Sequence, residues 1–99
     1  MLHIVNKSPA QTTALASCLR LAREGQALLL IEDGVYAATP SMAASSGLAA
    51  TAKRLQVFVL LPDVQARGIA GKLIAEARTV GYDGFVDLVA EHPNNQSWL

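Results

Sequence analysis

The chain has 99 residues, 52% of them AVILMFWYC and only 5% aromatic, and its eight Lys and Arg balance eight Asp and Glu to a net charge of zero. That length bounds one small domain. The charge balance speaks against stand-alone RNA or DNA binding, which draws on a surplus of basic residues to displace counterions.

The first predicted element is a strand over "LHIV" (Leu2 to Val5), short, apolar and followed at once by turn residues. In "SPAQ", Ser8 stands at an N-cap, Pro9 at the first helical position and Gln11 three residues after the cap, which is a capping box. The helix it opens is expected to run to about Glu24, with Gly25 taking the left-handed position after it. "ALLLI" (Ala27 to Ile31) is an unbroken apolar run, the pattern of a strand covered on both faces. It ends in "EDG", and "VYAAT" predicts a short helical turn before Pro40.

From Ser41 to Lys53 the chain is rich in Ala and Ser, weakly helical, and expected to be its least rigid part. "LQVFVLL" (Leu55 to Leu61) predicts a third buried strand, stopped by Pro62, with Asp63 able to cap a short helix that Gly68 closes. "IAGKLIAEARTV" is open: Ile69, Leu73, Ile74 and Ala77 keep helical spacing, while "ARTV" reads equally as a strand. "YDGFVDLVAEH" predicts a helix with Tyr82, Phe85, Val86 and Val89 on one stripe, and Pro93 stops it. The polar tail "PNNQSWL" carries Trp98, expected to dock the C-terminus. This order gives a single α/β layered domain over 1–99, with a mainly parallel sheet flanked by helices.

The N-terminus shows no charged region leading a long apolar run, so no signal peptide is expected. Apolar stretches fall far short of the roughly 20 residues of a membrane-spanning helix. One cysteine cannot make an internal disulfide, which fits a reducing, cytoplasmic setting. The high apolar content hints at contact with other subunits or self-association.

Little in the chain carries chemistry. His3, His92 and Cys18 offer no close-spaced metal ligands, and no glycine-rich phosphate loop is present, so no cofactor is expected. Glu32 and Asp33 end a buried strand, where open α/β sheets place ligand crevices, and could hold Mg²⁺. The companion aspartate and lysine of a phosphoreceiver are missing, and a polar turn is the favoured reading. The remaining candidate is Cys18. On a helical wheel it lies within the apolar arc of Ala14, Leu15, Leu19, Leu21 and Ala22, opposite Arg20 and Arg23. Burial without a cationic partner raises a thiol pKa and makes a poor nucleophile, so Cys18 reads as a packing residue.

Four strings, "MLHIVNKSP", "SCLRLAREGQALLLIEDGVYAA", "VFVLLPDVQARGIAG" and "GYDGFVDLVAEHPNNQSWL", together resemble the DsrH/TusB family of sulfur-relay proteins from Met1 to Leu99. The resemblance implies a DsrE/DsrF/DsrH-like fold and a heterohexamer with DsrE/TusD-like and DsrF/TusC-like sibling subunits. It further implies a non-catalytic subunit in the persulfide relay that serves 2-thiolation of the tRNA wobble uridine, the sulfur-carrying cysteine belonging to the DsrE/TusD sibling. The alternative within the family is a subunit of a dissimilatory sulfur-oxidation complex, with Cys18 as a sulfur-carrying thiol.

Overall fold

The computed structural model describes residues 1–98. Five short strands, β1 (Leu2–Val5), β2 (Ala27–Leu30), β3 (Gln56–Leu60), β4 (Ala77–Val80) and β5 (Asn95–Trp98), form one sheet in the order β4-β3-β2-β1-β5. Every pairing is parallel, with Leu2 opposite both Ala27 and Asn95, and Val57 opposite Ala77. The helices are α1 (Ala14–Leu21), α2 (Pro40–Ser46), α3 (Leu48–Thr51), α4 (Leu61–Ala66) and α5 (Tyr82–Glu91), with a 3-10 helix over Glu32–Ala38.

Strand order decides how the helices divide. From β1 to β4 the chain steps one strand at a time in one direction, and right-handed crossovers put those connections on a single face. The connection from β4 to β5 runs back across the sheet and places α5 on the other face. Side chains alternate along each strand, so the core is split in two. One cluster holds Val5, Leu28, Leu30, Val57 and Val59 against Leu15, Cys18, Val35, Leu48 and Val64. The other holds Leu2, Ala27 and Leu29 against Leu88 of α5.

Several elements differ from their sequence reading. The capping pair of Ser8 and Gln11 forms: Ser8 N–H donates to Gln11 Oε1 at 3.1 Å, and Ser8 Oγ accepts from Ala10 N–H at 3.2 Å. Yet it closes an isolated turn. Gln11 and Thr12 N–H both return to the Ser8 carbonyl, Thr12 Oγ1 takes Ala14 N–H, and α1 starts only at Ala14. α1 ends at Leu21 because Ala22 is extended (φ −66°, ψ 136°). Gly25, at φ +84°, serves the turn into β2 rather than a helix end.

Asp63 lies in the first turn of α4 but caps no N–H of that helix, whose N-cap is Leu60. The open segment 77–80 is strand β4, and its lead-in at 69–76 is irregular. On α5 the buried stripe is rotated from the expected one: Leu88 is buried and Phe85 and Val89 pack partly, while Tyr82 and Val86 are each 64% exposed. The tail is a fifth strand. The Ala/Ser stretch is helical, broken at Gly47 (φ +89°) and anchored by the buried Ala43 and Leu48.

Candidate functional site

Cys18 sits on the inner side of α1, with no solvent exposure, in the larger core cluster. Ala14 and Leu15 share that buried side, while Leu21, placed on the same arc by sequence, is 65% exposed because the helix ends there. Burial pushes the Cys18 thiol up from 9.0 to about 12. At neutral pH it is therefore protonated, and a protonated thiol is a poor nucleophile.

The "EDG" turn leaves β2 at the C-terminal edge of the sheet, and tertiary contacts build it. Glu32 is the single non-glycine residue at positive φ (+51°) among the described residues, and its N–H donates to Asp63 Oδ2 at 2.6 Å. Gly34 packs so close to the Val5 carbonyl that a Cβ there would overlap it. Arg67 Nε donates to Asp33 Oδ1 at 3.0 Å, Nη2 forms an ion pair with the same oxygen at 2.9 Å, and Arg67 Nη1 donates to the Asp63 carbonyl at 3.2 Å. A guanidinium thus occupies the space between Asp33 and Asp63 where a cation would have to sit. Among the described residues no three His, Cys, Asp or Glu side chains group closely enough to hold a metal. The sequence reading of a polar turn missed Arg67, whose only local signal is its i,i+4 spacing from Asp63.

Beside this turn the same edge holds two shallow cavities, of about 330 and 350 Å³, that share Met42. Asp33, Tyr36, Ser8 and Gln11 line the first, and the hydroxyl residues Thr12, Thr13, Ser45 and Ser46 line the second. Cys18 lines neither. The two cavities offer hydroxyls, an amide and one ion-paired carboxylate, but no thiol, so nothing in their lining could carry a sulfur atom as a persulfide.

At the other margin of the sheet Trp98 Nε1–H donates to His3 Nδ1 at 3.2 Å, and His3 Nε2 lies 2.8 Å from Gln26 Oε1. Indole can only donate. His3 Nδ1 must therefore accept, and Nε2 carries the proton toward Gln26. The arrangement ties β5 to β1 through a neutral imidazole and uses both ring nitrogens for structure.

A family model described as "DsrH like protein" matches residues 7–95. Protein TusB of Pectobacterium parmentieri is 38% identical over 98 residues, covering 99% of this chain and all of the relative. Protein TusB of Escherichia coli K12 is 36% identical with the same coverage. In fold, the chain is similar to a protein of unknown function from Methanobacterium thermoautotrophicum (TM-score 0.70, 16% identity, 97% of this chain and 95% of that one).

Proposed function

The chain belongs to the DsrH-like protein family, and from that membership we propose that it is a non-catalytic subunit of a persulfide relay, the one that serves 2-thiolation of the tRNA wobble uridine. The carrying observation is the end-to-end match to proteins named TusB, at 36–38% identity with full coverage of the relatives. The geometry of the one thiol supports the same reading. Persulfide transfer needs a thiolate that attacks the terminal sulfur of a donor persulfide and releases the donor thiolate. Cys18 has no exposure and a thiol pKa near 12, so it is poorly suited to that step. We assign it to packing and place the sulfur-carrying thiol on the DsrE/TusD-like sibling. The chain then acts in the cytoplasm beside that sibling and the DsrF/TusC-like one in a heterohexamer. Among the described residues no helix is long and apolar enough to cross a membrane.

The test is co-expression with both siblings, persulfide loading, and mass spectrometry of each chain in the assembly. The expected result is one complex in which added sulfur appears on a sibling and not on Cys18, with transfer intact after Cys18→Ala. Trapped persulfide on Cys18 in the assembly, with transfer lost in the alanine variant, would overturn the packing assignment and support the sulfur-oxidation alternative.

A further inference from the structure

Zero net charge conceals an uneven distribution. Because all five strands are parallel, the loops entering β2, β3 and β4 meet at the N-terminal edge of the sheet. These loops and the first residues of β4 bring Arg23, Lys53, Arg54 and Arg78, all exposed, to one edge. The loops are braced to one another: Gly25 N–H donates to the Arg54 carbonyl at 2.7 Å, and Gln56 Nε2 donates to the Gly25 carbonyl at 3.0 Å. Lys53, Glu76 and Arg78 line one polar cavity of about 310 Å³. Among the described residues the ion pairs all involve Arg67, and none of these four cations pairs with a carboxylate there. The opposite edge carries Glu32, Asp33 and Asp63 after β2 and β3, and Asp83 in the first turn of α5.

We propose that this N-terminal edge is a docking surface for an acidic, carboxylate-bearing face of a partner protein. Two carboxylates, Glu24 and Glu76, are interleaved with the four cations. A uniformly charged phosphate backbone meets repulsion at both. A protein face with mixed but mainly acidic side chains can pair the cations and leave the glutamates opposite neutral or basic groups. The segments at this edge (23–26, 52–56 and 75–78) also hold no Phe, Tyr or Trp on which an RNA base could stack. The edge therefore fits an acidic protein better than a nucleic acid.

The experiment rests on the relay reading, because its probe is the pair of co-expressed sibling subunits. Arg54→Glu with Arg78→Glu is compared with Lys7→Glu, which reverses a charge in the loop leaving β1, at the opposite edge of the sheet. The edge variant is expected to bind the siblings about tenfold more weakly and to lose most of the salt dependence of binding, with the control near wild type. Should the reversal misfold by circular dichroism, Arg54→Gln with Arg78→Gln should show the same direction of loss. Unchanged affinity and salt dependence in the edge variant overturn the docking surface and leave the relay reading standing. Failure of the wild-type chain to bind the siblings overturns both. A gel shift with a homopolymer RNA completes the set: RNA binding that the edge variant loses, with sibling binding intact, overturns the protein partner in favour of a polyanion.

Discussion

Cys18 and Gly34 show how a single position takes its meaning from what surrounds it. A thiol held near pKa 12 in the folded chain and near 9.0 when unfolded binds its proton more tightly in the native state. The stability it contributes is complete below pH 9 and declines as pH rises toward 12, by at most about 1.4 kcal/mol per pH unit. Urea denaturation across that range should show a steeper alkaline loss for the wild type than for Cys18→Ala. At neutral pH the variant should be less stable by about 1 kcal/mol from the void it leaves. Equal slopes would mean that the thiol is open to solvent. Gly34 is a steric requirement, since its position faces the Val5 carbonyl. Gly34→Ala should cost about 3 kcal/mol, because the atom that must yield belongs to a central strand. Gly71→Ala, in open space, should change stability by less than about 0.5 kcal/mol.

At the scale of elements, side chains from one segment hold another in place. Asp63 belongs to α4 yet satisfies the Glu32 N–H and sits against Arg67, which in turn holds Asp33. Asp63→Ala removes the acceptor of a strained backbone N–H and should destabilise by about 2 kcal/mol in chemical denaturation. Asp63→Asn keeps an acceptor and should lose less. β5 is held differently. It pairs only with β1, its first three residues are exposed, and Trp98 secures it through His3 and the edge of the core. Trp98→Ala should free this strand ahead of the rest. Hydrogen exchange at Leu2, whose N–H donates to the Asn94 carbonyl, should then accelerate strongly. Amides joining β2 to β3 should stay close to wild type, and uniform acceleration would show that β5 unfolds with the whole sheet.

In the whole molecule the two faces of the sheet are unequally covered. α1 to α4 and the 3-10 helix shield one face, whereas α5 alone shields the other and leaves Tyr82 and Val86 largely exposed. Ile4, Ile31 and Phe58 are only partly buried beneath it. Exposed apolar area of this kind favours association. The isolated chain is expected to self-associate with rising concentration on a sizing column, and Val86→Lys should reduce this with little change in unfolding midpoint. A wild-type chain that remains monomeric at high concentration would contradict the expectation.

The strands β1, β2 and β3 were legible in the sequence because each is an apolar run bounded by turn residues, and burial on both faces leaves no other place for such runs. The pattern of Cys18 within an apolar arc also depends only on helical periodicity and local composition. What lay beyond the sequence shares one cause, dependence on partners distant along the chain. β5 is polar in "NQS" and becomes a strand through the backbone of β1, with His3 receiving Trp98 from 95 positions away. α1 starts late because a sound capping box closed on itself, and nothing in its composition signals that the next turn fails to propagate. The stripe on α5 turned toward Leu88 because the sheet, not the helix, selects which residues it covers. The joining of Arg67 to Asp33, and the gathering of four cations at one edge, follow from parallel strand order, which brings successive loop ends together whatever their separation in sequence.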